Sequence, residues 1–419
     1  MTGKNDIFAA LSLAGHAPAV AQCLTLKLVN ICLARVEFAA RRTRVVARPF
    51  GIEIDPCNGC ALACPGCVHS MRSRQESLFD WPNGLIDPNR FASWLSQFAP
   101  YAVHVMFGNY GEPLLNSRTP AYIRAAKSFL AQTMLSTSLS LPRFDPDALV
   151  TSGLDYLVLS IDGATQPTYS RFRRNGNLEL VLDNLRRLVA ARRAHGRRLP
   201  YLAWQYLAFE HNRHEIPRAL ELAREIGVDE FRISRPFAVD WDDPTIQVAS
   251  SIPPETIPLQ PISPTDFAAN WNPFPGEIAA ETIHRAYRDP WRVPGTGPLE
   301  PATAGHTCHW LYMSTVMDAT GRVLPCCCAP KPDCDVVFAQ YDGTDVFNSP
   351  KHQLARRHFA TGHRSPTGPH CQDCEWNQLQ PDIAPSYIRE YGQAIRPSPI
   401  DAATASWLAT WPSPAPDHS

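Results

Sequence analysis

The 419-residue sequence predicts an α/β fold, a partial (β/α)6 TIM-like barrel that is followed by a small, cysteine-rich C-terminal domain. Strand-like and helix-like runs alternate from about residue 50 to residue 236, which is typical of parallel strands joined by crossover helices. The thirteen cysteines concentrate in two regions on either side of a proline-dense stretch. In such barrels the active site lies where the strands end, and the unusual motifs of this chain fall there.

Six strands and five helical runs account for the predicted barrel. The expected helical runs lie near residues 89–99, 119–130, 145–152, 177–195 and 214–227. The expected strands are Gly51–Asp55, Ala102–Phe107, Thr133–Leu139, Tyr156–Ile161, Leu202–Phe209 and Glu230–Ser234.

The rest of the chain divides by composition. Proline fixes φ and removes a backbone donor, so the proline-dense stretch predicts an irregular connection, and the polar, proline-rich end predicts a frayed tail. The expected segments are an N-terminal helical extension (1–49), the barrel (50–236), the connecting segment (237–303), an auxiliary domain (304–395) and the tail (396–419).

Composition and charge exclude several classes of protein. The chain is 44% apolar with a net charge of −1, so it can bury a large core but has no overall field to attract nucleic acid. An odd number of clustered cysteines favours reduced thiols and metal over a secreted disulfide framework. We find no membrane-spanning run and no convincing signal peptide, and we expect a soluble cytoplasmic protein without nucleic-acid partners.

The N-terminal extension carries an apolar pattern at helical spacing. Leu24, Leu28, Ile31 and Val36 recur along one face, and the pattern ends in a basic group at Arg41–Arg44. An amphipathic helix with a basic end can lie on an anionic membrane, or it can pack against its own domain, and packing is the commoner outcome.

The first cysteine region follows directly after the first predicted strand. Cys60, Cys64 and Cys67 have the spacing C-x3-C-x2-C, and three thiolates so close can hold three irons of a 4Fe–4S cube while the fourth iron stays open. Together with Cys57 they could instead form a four-thiolate zinc site. Zinc-binding pairs usually lie a dozen or more residues apart, which favours iron–sulfur.

Further motifs stand at the ends of the second and fourth strands. Gly108–Pro113 reads Gly-Asn-Tyr-Gly-Glu-Pro, and Ser160–Gly163 reads Ser-Ile-Asp-Gly and is followed by Arg173. Each motif taken by itself is an ordinary turn or strand end. Their order after the cysteine loop resembles the radical S-adenosylmethionine (radical SAM) superfamily over residues 50 to 236.

That resemblance implies a set of cofactor contacts. Cys60, Cys64 and Cys67 would ligate a catalytic 4Fe–4S cluster whose open iron takes S-adenosylmethionine. Gly111 would let the backbone approach the cofactor and Glu112 would hold its amino group, while Ser160 and Arg173 would bind its ribose or carboxylate. Two departures from the family pattern are Gly66, where the family often has an aromatic residue, and the additional Cys57, which we leave out of the ligand set.

The second cysteine region has its own spacing. Cys308, Gly321 and Cys326 fit the pattern C-x12-G-x4-C, with a predicted hairpin turn at Asp318–Gly321, and a C-x2-C pair follows at Cys371 and Cys374. This resembles the SPASM group in its short "twitch" form, which implies one auxiliary 4Fe–4S cluster held by those four cysteines. Zinc is the alternative, and Cys327, Cys328 and Cys334 are alternative ligands.

The resemblance implies an oxidoreductase of the dehydrogenase type. It would reductively cleave S-adenosylmethionine to a 5′-deoxyadenosyl radical, with electrons from a reductase such as flavodoxin or ferredoxin, and abstract hydrogen from its substrate. The auxiliary cluster would accept the substrate radical's electron. A small molecule, sugar or lipid headgroup is favoured over a peptide because few residues precede the barrel. The alternatives are a redox-neutral epimerase, a peptide-modifying maturase, or a non-catalytic zinc-stabilised binding protein.

Overall fold

One open sheet of ten strands forms the centre of the described part of the protein. The computed structural model describes residues 17–71, 83–236, 243–252, 255–260, 307–308, 310–327, 337–366, 370–374 and 382–383. The predicted tail at 396–419 and most of the predicted connecting segment at 237–303 lie outside these residues, so the domain boundaries stay predictions.

Six adjacent parallel strands make up the predicted barrel. Neighbouring strands are joined by crossover helices, and the sheet does not close on itself. All six predicted strands are confirmed, with ends within two residues of the expected positions. They are β1 (Gly51–Ile54), β2 (His104–Phe107), β3 (Gln132–Thr137), β4 (Tyr156–Ser160), β5 (Tyr201–Leu207) and β6 (Glu230–Ser234).

Among the described residues, eight helices precede or connect these strands. Several begin at a side-chain cap, such as Asp145, whose carboxylate accepts from the backbone N–H of Ala148 at 2.9 Å. The helix Gln166–Phe172 was not predicted from the sequence, because only two of its seven residues, Tyr169 and Phe172, are buried. The helices are α1 (Ala17–Ala39), α2 (Val68–Met71), α3 (Pro88–Phe98), α4 (Thr119–Lys127), α5 (Pro146–Val150), α6 (Gln166–Phe172), α7 (Leu178–Ala194) and α8 (Ile216–Ile226).

The second half of the chain extends the same sheet at both edges. β7 (Glu255–Pro258) lies antiparallel to β6, and β9 (Ser314–Met317) lies parallel to β1. The predicted hairpin is confirmed, because the backbone N–H of Asp318 donates to the carbonyl of Arg322 at 3.0 Å. The other strands and α-helices of the described residues are β8 (Thr307–Cys308), which pairs with β12 (Asp382–Ile383), α9 (Trp310–Met313), β10 (Arg322–Leu324), β11 (Ala339–Gln340) and α10 (Pro350–Thr361). The strand order of the large sheet is β11-β10-β9-β1-β2-β3-β4-β5-β6-β7.

Side chains alternate between two faces of the sheet. Ile52 and Ile54 of β1 point outward into the main hydrophobic core, which also contains Trp94 of α3 and Trp204 of β5. Glu53, between the two isoleucines, therefore faces the interior of the barrel. A second apolar cluster, which includes Phe50 and Val316, lies on that inner side of the sheet.

The N-terminal helix α1 packs against the barrel. Ile31 and Ala34 belong to the inner apolar cluster, and Lys27 donates to the backbone carbonyls of Ala99, at 2.9 Å, and Ala102. Burial lowers the pKa of Lys27 to about 7, against the opposing effect of a nearby cysteine. The expectation that this helix packs on its own domain is confirmed. Within the described residues no helix has the length and apolarity needed to cross a membrane.

A buried arginine holds helix α10 in place. Arg356 of α10 has 0% exposed surface, and it donates to the carbonyls of Leu311 (2.9 Å) and Phe347 (2.8 Å) and to the side chain of Asn348 (3.2 Å). Its guanidinium also lies 4.7 Å from the ring centre of Phe347. The charge is thereby surrounded by acceptors, and α10 is fixed to α9.

Asp55, the residue after β1, binds the loop that follows β2. Its buried carboxylate accepts from the backbone N–H groups of Asn109 at 2.6 Å, Tyr110 at 3.2 Å and Gly111 at 3.4 Å. The two loops are so close that a Cβ on Gly111 would lie 1.6 Å from the carbonyl oxygen of Cys57. Glycine at 111 is thus required by the protein's own backbone.

We predict that Gly111→Ala destabilises the fold by about 3 kcal/mol, because the new methyl must displace the backbone at Cys57. Urea unfolding followed by circular dichroism would measure the change. Gly84→Ala is the matched control, since a Cβ there would meet nothing within 4 Å. Equal stability of the two variants would contradict the close approach.

Candidate functional site

The cysteine loop between β1 and α2 brings three thiols into one apolar environment. Cys60, Cys64 and Cys67 all pack into a cluster that contains Leu62 and Phe172. A turn positions the last cysteine, whose backbone N–H donates to the carbonyl of Cys64 at 3.1 Å. The three residues predicted to bind iron are therefore side by side at the C-terminal end of the first strand.

These thiols are hard to ionise without a cation. Burial raises the pKa of Cys60 to about 12, with Glu112 and the other two thiols adding to the effect. Burial also raises the pKa of Cys67 to about 11, with Cys64 contributing. A positively charged metal centre offsets that cost and binds the deprotonated form, so the donor set fits an iron–sulfur cluster.

The donors do not converge on one point. Within the described residues, no three His, Cys, Asp or Glu side chains are placed to hold a single metal ion. A cube has a different requirement, because each thiolate binds a different iron. Cys57 stays apart: its buried sulfur accepts from the backbone N–H of Gly59 at 3.2 Å.

Glu112 is buried next to the cysteine loop and ordered by the end of β3. Its carboxylate accepts from the hydroxyl of Thr137 (2.7 Å) and from the N–H (2.9 Å) and hydroxyl (2.8 Å) of Ser138. Its own N–H donates to the carbonyl of Gly59 at 2.8 Å. Burial raises the pKa of Glu112, and these hydrogen bonds oppose that rise. The carboxylate is thus fixed before any ligand arrives.

Arg173 lies at the end of α6, between a carboxylate and a cysteine. Its Nε donates to Asp162 at 2.5 Å, and its Nη1 donates to the sulfur of Cys64 at 3.7 Å. Burial disfavours the charge, but Asp162 and Cys64 outweigh burial and raise the pKa of Arg173. Ser160, the last residue of β4, lies beside Gln205 and is half-buried.

The four C-terminal cysteines also come together. Burial raises the pKa of Cys308, and Cys326 and Cys374 add to the rise. Burial likewise raises the pKa of Cys371, with contributions from Cys326, Cys308 and Cys374. Of the alternative ligands, Cys327 is tied through its carbonyl to the hydroxyl of Tyr110 at 3.1 Å, while Cys328 and Cys334 lie outside the described residues.

One buried carboxyl group was missed by the sequence analysis. Glu53 is 2% exposed, and its Oε2 has no hydrogen-bond partner in the part of the chain that the structure describes. Burial raises its pKa well above the usual range, and Asp55 and Cys326 raise it further. The only signal in the sequence is an acidic residue in the middle of an otherwise apolar buried strand.

Comparison with known proteins places this site in a family. Residues 54–195 match the model of the Radical SAM superfamily. No curated protein matches the chain. SuiB from Streptococcus suis, solved with S-adenosylmethionine, is 12% identical with a TM-score of 0.42, and the match covers 67% of this chain but only 60% of SuiB.

Two further solved structures are similarly distant. Native anSMEcpe with bound AdoMet is 13% identical with a TM-score of 0.43, covering 80% of this chain and 89% of that one. BtrN in complex with AdoMet and 2-DOIA is 14% identical with a TM-score of 0.40, covering 78% and 93%. The matched segment contains the cysteine loop, Glu112 and Arg173, and residues 54–195 therefore form a domain of the radical SAM superfamily.

Proposed function

We propose that this protein is a radical SAM enzyme that reductively cleaves S-adenosylmethionine and abstracts hydrogen from a small hydroxylated or amino-bearing molecule, which it then oxidises. The observation that carries the proposal is that Cys60, Cys64 and Cys67 pack in one apolar cluster beside Glu112 and Arg173, inside the segment that matches the family.

Each part of the site then has a role. The three cysteines would hold a 4Fe–4S cluster, which when bound supplies the electron that cleaves the sulfonium of the cofactor. Glu112 would attract the cofactor's ammonium group by its charge, because its carboxylate oxygens already accept four hydrogen bonds. The longest of these, at 3.3 Å, comes from the backbone N–H of Leu114. Ser160 and Arg173 contact the ribose or carboxylate, and Gly111 keeps the two loops close.

The interior of the barrel supports a polar substrate. Glu53 faces this space, and its Oε2 has no hydrogen-bond partner among the described residues. An unpaired buried polar atom is costly unless a ligand satisfies it. The half-buried Gln205 and Ser234 lie on the same inner face, near the mouth. We infer that hydroxyl or ammonium donors of the substrate bind Glu53.

The second cysteine set supports oxidation. Cys308, Cys326, Cys371 and Cys374 would saturate a second 4Fe–4S cluster, which leaves no open iron and favours electron transfer over substrate binding. Cys308 and Cys326 pack against the apolar cluster on the inner side of the sheet, which brings these two cysteines close to the space where the substrate would bind. The alternatives are a structural metal site that joins the C-terminal segments, a redox-neutral epimerase, or a peptide-modifying enzyme.

The first test removes the three cysteines of the catalytic set. Wild-type protein reconstituted without oxygen should hold about eight irons, two cubes of four, and release 5′-deoxyadenosine with dithionite. The Cys60/Cys64/Cys67→Ala variant should keep about four irons and release none. Iron analysis and chromatography of the nucleoside measure both quantities.

Cys57→Ala is the control, since this thiol bonds to Gly59 and should leave iron content and cleavage unchanged. Cleavage that survives in the triple variant would refute the assignment. A wild-type chain with four irons and one zinc would show that the second site is structural.

The second test concerns Glu112. Glu112→Gln keeps the shape and can retain bonds to Thr137 and Ser138, but it removes the charge. Losing one partner of a buried charge pair costs about 2–5 kcal/mol, so the affinity for S-adenosylmethionine should fall at least about tenfold. Equilibrium binding to the reconstituted protein measures this, with unchanged iron content as the control. Unaltered affinity would place the carboxylate outside the cofactor site.

The third test follows the substrate hydrogen. We expect that the first hydroxylated or amino-bearing molecule that accelerates 5′-deoxyadenosine release will be oxidised. With deuterium at the abstracted position, mass spectrometry should find the label in 5′-deoxyadenosine, in a one-to-one ratio to a product that has lost two hydrogens. A product of unchanged mass with solvent hydrogen at that carbon would identify an epimerase instead.

A further inference from the structure

Arg173 is held in a fixed position by its surroundings. Asp162, which has no exposed surface, accepts from Arg173 Nε at 2.5 Å and from the backbone N–H of Leu207 at 2.7 Å. The side chain of Asn212 fixes the backbone at the same residue by donating to the Asp162 carbonyl at 3.1 Å. The ring centre of Phe172 lies 5.2 Å from the guanidinium carbon. The guanidinium is therefore anchored on one side.

Its other side faces the sulfur of a cysteine in the catalytic set. Nη1 of Arg173 donates to Cys64 at 3.7 Å, within the range of a hydrogen bond to sulfur. Cys64 is buried, so water screens this contact little. We propose that Arg173 sets the reduction potential of the cluster held by Cys60, Cys64 and Cys67. This role rests on the proposed function and is separate from any contact with the cofactor.

The direction in which Arg173 shifts the reduction potential follows from its positive charge. Reduction adds one negative charge to the cluster and its thiolates, and hydrogen bonds to the ligating sulfurs are one of the levers that set the potential. A cationic donor at Cys64 stabilises the reduced form and raises the potential. Removing Arg173 has a second effect in the same direction, because it leaves Asp162 as an uncompensated negative charge nearby. Both effects make reduction harder.

The neighbouring arginine provides a matched control. Arg174 has the same charge and lies one residue further along the chain, but it pairs with Asp243 and its side chain is 40% exposed. A general change in surface charge would affect both positions alike. If the effect comes from the hydrogen bond to the sulfur of Cys64, only the substitution of Arg173 changes the reduction potential.

The experiment is a redox titration of reconstituted Arg173→Gln, Arg174→Gln and wild-type protein without S-adenosylmethionine, followed by electron paramagnetic resonance. The signal of interest is the one that changes when the cofactor is added afterwards, which separates the open cluster from the auxiliary one. We expect the equilibrium constant for reduction to fall about tenfold in Arg173→Gln, equal to ~59 mV for one electron, and to stay unchanged in Arg174→Gln.

The outcomes separate the two proposals. An unchanged potential in Arg173→Gln with full iron content, or an equal shift in Arg174→Gln, would overturn this role. If Arg173→Gln holds no cluster, Arg173→Lys decides: a smaller shift in the same direction supports the role, and an unchanged potential overturns it. A wild-type protein without a cofactor-responsive signal would refute the proposed function itself.

Discussion

The carboxylate of Asp55 is the contact on which the site depends. It accepts three consecutive backbone N–H groups from the loop after β2, and so it joins the end of the first strand to the loop that carries Glu112. Burial still raises its pKa to about 7 despite those bonds. With Gly111 pressed against Cys57, the contact sets the distance between the cysteine loop and the carboxylate before either meets a ligand.

Buried charges elsewhere show what is unusual at the site. Lys127 and Asp155 pair at 2.7 Å, and the same carboxylate accepts from the backbone of Thr133 at 2.8 Å, so that pair is satisfied within the protein. Arg173 instead donates from Nε to Asp162 and from Nη1 to the sulfur of Cys64, while Oε2 of Glu53 has no hydrogen-bond partner in the described part of the chain. Buried ionisable groups whose pKa is shifted by burial and by specific neighbours cluster at functional sites.

The sequence predicts local features well and distant pairings poorly. The six parallel strands and the turn at Asp318–Gly321 were predicted because apolar runs and turn residues act over a few positions. The addition of β9 to the sheet was not, because its pairing with β1 joins residues 263 positions apart. The grouping of the catalytic cysteines was evident from their spacing. The unpaired Oε2 of Glu53 could not be predicted, because it depends on which side chains surround it in the folded protein.

The pairing of β9 with β1 also bears on how the protein is made. Both edges of β1 are occupied in the finished sheet, by β2 on one side and β9 on the other. During synthesis β1 emerges long before its second neighbour, so one strand edge waits unpaired while the intervening chain is translated. A nascent or truncated chain that ends before residue 314 therefore leaves one edge of β1 unpaired, directly before the cysteine loop. An unpaired strand edge can pair with another chain and so promotes aggregation.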